Sequence, residues 1–333
     1  MSELRKDPVL GRWVIVQTDD SLSPQDYEKE NRVFRQQAIC PFCPEREDRT
    51  PPEIDSVRYD GSHANSPGWI TRVVPNRFPA LEAEGDIDRK GIGLYDISKG
   101  VGAHEVVVET PDHDKDFPDF SDKEMYEVIN KYCSRSIDLA RDKRFRYVMI
   151  FKNYGASAGA SLEHAHSQII ALPMIPKYVL QSLEGAKQYY QDNGRCVYCD
   201  IIKQEVEDKE RIVTENNDFI CFASYTSRFP FETWIMPKKH QSSFCQMSDG
   251  NKHSLGKFLK EVLQRNKACL SDPSYNFFIH TAPITNSFPE GYHWHIEIIP
   301  KLTNMAGFEW GTGFYIVPTA PCLAARYLRE AKI

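Results

Sequence analysis

The most informative stretch of this 333-residue chain is Asn153-Tyr-Gly-Ala-Ser-Ala-Gly-Ala-Ser-Leu-Glu-His-Ala-His-Ser-Gln168. It runs from small residues into His164, His166 and Gln168, and the apolar residues 169–172 that follow predict a strand. Alternate residues of a strand share one face, so two imidazoles and an amide are predicted to stand side by side. The preceding loop is expected to bind an anion through its backbone N–H groups. This layout favours nucleophilic attack on phosphorus.

The composition is that of an ordinary globular protein, with 41% hydrophobic and 26% charged residues. The net charge of −6 argues against a nucleic-acid partner. No apolar run approaches the roughly 20 residues that span a bilayer. Residues 1–7 lack the apolar core of a signal peptide. We therefore expect a cytoplasmic protein with neither a membrane nor a nucleic-acid partner.

The order of motifs repeats along the chain. Each half has a Cys-x-x-Cys pair, a single histidine, a helical pattern, a strand pattern and a His-x-His-x-polar segment. The first half places these at 40–43, 104, 121–142, 147–152 and 164–168, and the second at 196–199, 240, 252–268, 275–280 and 293–297. The recurrence predicts two homologous α+β units, assigned here to residues 1–178 and 179–333.

Each repeat also supplies two cysteines and two histidines, the ligands of a tetrahedral zinc site. The first predicted site is Cys40, Cys43, His104 and His164; the second is Cys196, Cys199, His240 and His293. A shell with four protein ligands is structural because it leaves no open position. Two alternatives stay open: free buried thiols, or one zinc ion held by all four cysteines. The remaining histidines (63, 113, 253 and 280) are expected to be ordinary surface or core residues.

With His164 assigned to zinc, His166 is the candidate nucleophile. A neutral imidazole can attack phosphorus and form a covalent phosphorus–nitrogen bond. Side chains of Asn153, Ser161 and Gln168, with the backbone of residues 155–160, are expected to stabilise the charge on the phosphoryl oxygens.

The second half carries His295 and Glu297 at the corresponding positions. A carboxylate there would repel a phosphate where Gln168 would bind one. We therefore assign the chemistry to the first half, with the second as scaffold that lines the acceptor site.

These residues resemble the galactose-1-phosphate uridylyltransferase family, a branch of the histidine triad superfamily. The matching segments are Asp7–Val14, Cys40–Cys43, Pro75–Ala80, Gly102–Glu105, Asn153–Gln168 and Ala306–Glu309. The resemblance implies an α+β fold of two tandem triad-like domains. Each would be an antiparallel sheet with packed helices, and the two would form a pseudo-symmetric pair.

The resemblance also implies a ping-pong reaction, a homodimer and two structural zinc ions. A nucleotide sugar would pass its nucleotidyl group to His166 and release a sugar 1-phosphate, and a second phosphorylated acceptor would then take the nucleotide. The default pair is UDP-glucose with galactose 1-phosphate or another hexose 1-phosphate. The implied substrate contacts are Phe42, Asn76, Arg77 and Phe78 at the base and ribose, Asn153, Gly159, Ser161 and Gln168 at the phosphate, and Glu309 at the hexose.

Several departures from the family pattern weaken the substrate assignment. The family's His-Pro-His-Gly-Gln is His-Ala-His-Ser-Gln here, Arg77 stands where an acidic ribose ligand is usual, and residues 19–24 replace a basic stretch. The tail at 307–318 is closer to the subgroup that resembles ADP-glucose phosphorylase, in which an adenylyl group passes to inorganic phosphate. Adenylyl transfer is therefore the first alternative. A triad-type nucleotide hydrolase and a non-catalytic, zinc-stabilised binding module are weaker ones.

Overall fold

The computed structural model describes residues 1–29, 39–59, 61–284 and 289–333. The strands in these ranges are β1 Ser2–Lys6, β2 Trp13–Gln17, β3 Asp55–Arg58, β4 Trp69–Pro75, β5 Lys90–Ile92, β6 Tyr95–Ile97, β7 Ala103–Val108, β8 Tyr147–Tyr154, β9 His166–Leu172, β10 Ile212–Glu215, β11 Phe219–Ala223, β12 Thr233–Pro237, β13 Tyr275–His280, β14 His295–Pro300 and β15 Tyr315–Val317. The α-helices are α1 Asp122–Leu139, α2 Lys177–Asn193, α3 Val197–Asp208, α4 Asp249–Leu270, α5 Gly307–Thr312 and α6 Pro321–Glu330. None of these helices has both the length and the apolar composition that crossing a bilayer requires.

One ten-stranded antiparallel sheet dominates the fold, in the order β10-β11-β12-β14-β13-β8-β9-β7-β4-β3. It consists of two five-stranded halves that join where β8 pairs with β13. In each half the third strand from the outer edge leads into a long helix, α1 after β7 and α4 after β12. The predicted α+β fold of two pseudo-symmetric units is therefore confirmed.

Helix α1 shows how the local sequence produces these elements. Ser121 and Glu124 form a capping box, with Ser121 N donating to Glu124 Oε2 at 2.6 Å and Glu124 N donating to Ser121 Oγ at 3.2 Å. Such a cap contributes about 1 kcal/mol. Met125, Val128 and Ile129 follow at helical spacing and are buried in the main core. The buried stripe packs α1 against the sheet and against α4.

A small second sheet ties the two ends of the chain together. Strand β2 pairs antiparallel with β1 and parallel with β15. Asp7, between the first two strands, accepts hydrogen bonds from the backbone N–H groups of Val9 and Leu10, both at 2.8 Å. The N-terminal strands therefore lie beside the last strand of the chain, and the division at residues 178 and 179 stays a prediction.

Candidate active site

His166 begins β9, whose neighbours in the sheet are β7 and β8. Its side chain is buried, and burial lowers the pKa of His166 to about 4. His166 Nδ1 lies 2.8 Å from the carbonyl oxygen of His164, so the proton of the neutral ring is on Nδ1 and is donated to that oxygen. The lone pair of Nε2 has no hydrogen-bond partner among the described residues. The ring is thus presented as a nucleophile through one nitrogen.

A cavity of about 370 Å³ opens in front of His166. Its lining combines apolar rings and side chains with a few polar groups: Pro41, Phe42, Arg49, Thr50, Pro51, Val74, Pro75, Asn76, Arg77, Phe78, Val106, Ser161, Leu162, His166 and Gln168. The ring centroid of Phe42 lies 5.4 Å from that of His166. This combination is typical of a site for a small ligand with an aromatic and an anionic part. Seven of the candidate residues from the sequence meet here: Phe42, Asn76, Arg77, Phe78, Ser161, His166 and Gln168.

Three other candidates lie outside the cavity lining. Asn153, on β8, accepts a hydrogen bond on Oδ1 from Asn276 Nδ2 at 2.8 Å. Gly159 has a left-handed backbone conformation with φ of +89°. Glu309 accepts from the backbone N–H of Ala306 at 3.0 Å, at the start of α5. Any direct substrate contact of these three stays a prediction.

The loop before β9 differs from the expectation that its backbone amides bind an anion. Ala158 N and Ala160 N both donate to the carbonyl oxygen of Gly155, at 3.2 and 3.1 Å, and Gly159 N donates to Ala156 O at 2.9 Å. These three amides are already occupied because the loop closes on itself. The polar group that the loop adds to the cavity is Ser161.

Asn276 of the second half-sheet braces this loop. Its Nδ2 donates to Asn153 Oδ1 and to Ala158 O, both at 2.8 Å. The two asparagines face each other in register where β13 meets β8. Sequence reasoning missed Asn276 because the contact exists only when the two half-sheets pair.

A buried ionic network lies behind the nucleophile strand. Lys152 Nζ is 2.5 Å from Glu109 Oε2 and 3.2 Å from Asp116 Oδ1. Tyr132 OH joins the network, 2.9 Å from Glu109 Oε1 and 2.8 Å from Ser167 Oγ. Removing one partner from such a buried pair costs about 3–5 kcal/mol because it leaves an uncompensated charge. The network therefore fixes β9, through Ser167, against α1 and β8.

The first Cys/His cluster consists of Cys40, Cys43, His113 and His164. Its sulfur-to-nitrogen distances are 3.7 Å from Cys40 to His164, 3.4 Å from Cys43 to His113 and 3.7 Å from Cys43 to His164, each to Nδ1. Ligands around one tetrahedral ion would be about 3.6 Å apart, given metal–sulfur and metal–nitrogen bonds of about 2.3 and 2.0 Å. The residues thus fit one metal ion. The carbonyl of Thr110, 2.7 Å from His164 Nε2, orients that ring.

The prediction of His104 as a ligand of this cluster is wrong, and so is the assignment of His113 as an ordinary surface or core residue. Strands β7 and β9 are antiparallel, and Val108 lies opposite His166. His104 lies about 13 Å along β7 from Val108, at roughly 3.3 Å per residue, away from the end where His164 lies. His113 follows the end of β7 and returns to that end.

The second cluster has the predicted composition of Cys196, Cys199, His240 and His293. Cys199 Sγ is 3.4 Å from His240 Nδ1 and 3.6 Å from His293 Nδ1, again the spacing of ligands around one ion. The two Cys-x-x-Cys pairs lie in separate clusters, so the alternative of a single four-cysteine site is wrong. The described chain therefore contains two clusters that could each hold a metal ion.

The fold and the site together define a class of protein. Two paired triad-like units, one of them presenting a neutral histidine at a small-ligand cavity, are the architecture of a histidine triad nucleotidyltransferase.

Comparisons with known proteins narrow the class. A family model described as the N-terminal domain of galactose-1-phosphate uridyl transferase matches residues 1–176, and a model for a domain of unknown function matches 119–330. ADP-glucose phosphorylase from Arabidopsis thaliana is 36% identical over 337 residues, covering 99% of this chain and 93% of that protein. Galactose-1-phosphate uridylyltransferase from Thermotoga maritima is 30% identical over 342 residues, covering 100% and 99%. The chain belongs to the galactose-1-phosphate uridylyltransferase family, and it is a nucleotidyltransferase.

A solved structure supports the same placement. ADP-glucose phosphorylase from Arabidopsis thaliana with bound ADP-glucose superposes with a TM-score of 0.84 at 35% identity, covering 100% of both chains.

Proposed function

We propose that this protein transfers a nucleotidyl group from a nucleoside diphosphate sugar to Nε2 of His166, and from there to a second phosphate-bearing acceptor. The observation that carries the proposal is the hydrogen bond of 2.8 Å between His166 Nδ1 and the His164 carbonyl. Because it holds the ring proton on Nδ1, Nε2 keeps the lone pair that a nucleophile needs.

In the first step, the Nε2 lone pair attacks the α-phosphorus and a phosphorus–nitrogen bond forms. The bond from that phosphorus to the bridging oxygen breaks, and the sugar 1-phosphate leaves with the electron pair. Donors from Ser161 and Gln168, which line the cavity beside His166, would stabilise the non-bridging oxygens. In the second step an oxygen of the acceptor phosphate attacks the same phosphorus and returns Nε2 to its free form.

The nucleotide is expected to lie along the apolar part of the cavity. Phe42 and Phe78 offer ring faces, and Val74, Val106 and Leu162 complete the apolar wall. Aromatic rings bind a nucleobase by stacking. Arg49 and Arg77 line the same cavity and add positive charge that suits a diphosphate.

We infer that the substrate pair is ADP-glucose and inorganic phosphate. The support is the greater identity to the phosphorylase, 36% against 30% for the Thermotoga maritima uridylyltransferase, over nearly the whole chain in both cases. The second candidate is UDP-glucose with galactose 1-phosphate. It is supported by the family model that matches residues 1–176.

We infer that both Cys/His clusters bind zinc. Two thiolates and two imidazoles form a ligand set that suits Zn²⁺, and four protein ligands leave no position for a substrate. The ion would fix the Cys40–Cys43 loop against His164, which lies two residues before the start of β9. It would thereby set the position of Phe42 relative to His166.

We also infer that the protein is a cytoplasmic homodimer, as its family resemblance implies. The hairpin of β5 and β6 supports a partner, because Ile92, Leu94 and Tyr95 are exposed. Sedimentation equilibrium gives the mass in solution, and a monomer at micromolar concentration would contradict this inference.

The reaction is tested by incubating the protein separately with ADP-glucose and UDP-glucose, each labelled at the α-phosphate. We expect acid-labile label on the protein from ADP-glucose, and none on His166→Ala. His253→Ala is the matched control, because this exposed histidine of α4 stacks on Tyr126 away from the cavity. Label from UDP-glucose alone would favour the second candidate. Label from neither sugar, or undiminished label on His166→Ala, would overturn the covalent mechanism.

A further inference from the structure

His104 contacts two residues of the cavity through one nitrogen. Its Nε2 lies 2.7 Å from Gln168 Oε1 and 3.0 Å from Asn76 Nδ2. On the other side of the ring, the backbone N–H of Ala80 donates to Nδ1 at 3.1 Å. A neutral imidazole carries one proton, and Nδ1 accepts, so the proton is on Nε2. That proton faces Gln168.

The neighbouring amide fixes the orientation further. Asn76 Oδ1 accepts from the backbone N–H of Phe78 at 2.9 Å, which turns the Asn76 NH₂ group towards His104. With its proton on Nε2, His104 donates to an acceptor; the Asn76 NH₂ group at 3.0 Å is itself a donor and cannot take that proton, which leaves Gln168 Oε1 at 2.7 Å as the acceptor. A reversed Gln168 carboxamide would leave the Nε2 proton without an acceptor, since the Asn76 amide also faces it with a donor. Gln168 Oε1 therefore accepts a hydrogen bond from His104 Nε2. The Gln168 NH₂ group is then the part of the side-chain amide that does not face His104.

We propose that His104 is a positioning residue for nucleotidyl transfer: it holds Gln168 Oε1 so that the Gln168 NH₂ group is presented to the phosphoryl oxygens. Gln168 is two residues after His166 on β9, and alternate strand residues share a face. Gln168 lies opposite Val106 of β7, so His104 is its diagonal neighbour on that face. This inference rests on the proposed chemistry at His166.

The second half-sheet uses the same two positions differently. Glu297 pairs with Trp234 as Gln168 pairs with Val106, so Glu232 is the counterpart of His104. Both carboxylates are buried and both contact Arg228, through an ion pair to Glu297 and at 3.6 Å to Glu232. That arrangement sets two buried carboxylates around one guanidinium and presents no amide donor. The imidazole-to-amide pair is thus found in the half that has the open cavity.

A double-mutant cycle tests the proposal. The rate of label transfer to His166 is measured in a single turnover at saturating donor for the wild type, His104→Ala, Gln168→Ala and the double variant. Loss of one oriented donor slows such a step by about a hundredfold. We expect His104→Ala to lose tenfold or more and the double variant to be no slower than Gln168→Ala, since His104 acts through Gln168. Losses that multiply would overturn the proposal.

Two further measurements separate positioning from a structural role. His104→Gln places an amide nitrogen near the position of Nε2, and we expect it to recover most of the rate, whereas a variant as slow as His104→Ala would contradict the role of that donor. Metal content should be unchanged in His104→Ala, and a lost equivalent would show that His104 acts on the metal cluster. If the rate losses of His104→Ala and Gln168→Ala multiply in the double variant while His166 is still labelled in the wild type, this inference is refuted and the proposed function stands. Absence of label in the wild type would refute the proposed function and this inference with it.

Discussion

Gln168 of β9 and Glu297 of β14 occupy the same position in the two half-sheets, but their cross-strand neighbours differ in size. Gln168 lies opposite Val106, and Glu297 lies opposite Trp234. The small valine lines the open cavity. The tryptophan ring stacks on His295, the counterpart of His166, with ring centroids 4.7 Å apart. Val106 thus leaves room for a cavity in front of His166, whereas Trp234 on one side and His280, with its ring centroid at 4.5 Å, cover the ring of His295.

The covered imidazole predicts how much nucleotide the enzyme can hold covalently. We expect one labelled nucleotide per chain at saturation, located in the peptide that contains His166, because His295 lies beneath Trp234. Proteolysis under mildly alkaline conditions, which preserve a phosphorus–nitrogen bond, followed by mass spectrometry gives the position. Two nucleotides per chain, or label at His295, would contradict the difference between the halves.

The corrected ligand set predicts the effect of replacing His113. Removing one of four ligands should weaken the first cluster, so metal content should fall from two equivalents to about one in His113→Ala. Unfolding temperature should fall as well, because metal binding is coupled to folding. Elemental analysis and calorimetry are the measurements. His63→Ala, which removes an exposed histidine outside both clusters, should keep both equivalents. Two equivalents in His113→Ala would restore His104 as a candidate ligand.

Much of the fold could be predicted because its signals are local. The strand at 275–280 has the predicted limits, and α1 lies within the helix predicted at 121–142. The repeat predicted two units and the four residues of the second Cys/His cluster, because the order of motifs along the chain reflects the order of strands and helices. Short strands such as β3, β10 and β15 carry too few residues for a periodic pattern.

The errors at the site have a common cause. The order of histidines along the chain pairs His104 with His240. In this fold, however, the third ligand of each cluster comes shortly after a strand ends. His240 follows β12, and the residue that follows β7 in the same way is His113. The brace from Asn276 depends on the pairing of distant strands. Neither relationship is visible before the strand register is known.

The loop that leads to the nucleophile strand contains two glycines with different constraints. Gly155 has a φ of +83°, and a Cβ atom there would lie 1.8 Å from Ser274 Oγ. Gly159 has a φ of +89°, but the nearest atom to its Cβ would be Asn153 Nδ2 at 3.8 Å. We expect Gly155→Ala to destabilise the fold by several kcal/mol and Gly159→Ala by only about 1 kcal/mol, the cost of the left-handed backbone alone. Chemical denaturation of both variants gives the comparison, and equal losses would contradict it.

The ion pairs of Glu53 with Arg58 and Arg72 predict that the stability of the fold depends on pH. Burial alone would raise the pKa of Glu53, but hydrogen bonds from Arg72 and Arg58 outweigh it and hold the pKa below its ordinary value. A depressed folded-state pKa contributes stability above the unfolded pKa of about 4.3 and loses it as pH falls through the folded value. The free energy of unfolding of the wild type should therefore exceed that of Glu53→Gln at pH 7.

That difference should shrink below about pH 4. Any loss of metal in acid would be common to both proteins, so the difference between them isolates Glu53. Urea denaturation of both proteins at several pH values gives the difference in their free energies of unfolding. A difference that grows on acidification would contradict a lowered pKa of Glu53.

Asn276 links the second half-sheet to the reaction in the first. Its two hydrogen bonds, to Asn153 Oδ1 and Ala158 O, hold the loop that leads to Ser161 and His166. In Asn276→Ala both acceptors lose their partner, and a misplaced phosphate donor should slow label transfer by about tenfold. Asn193→Ala, at the exposed end of α2, removes an amide away from the site and should leave the rate unchanged. Because Asn276 lies outside the cavity lining, the affinity for the nucleotide sugar should change by less than threefold. A loss in affinity with an unchanged transfer rate would mean that Asn276 acts on binding, and would refute the bracing role.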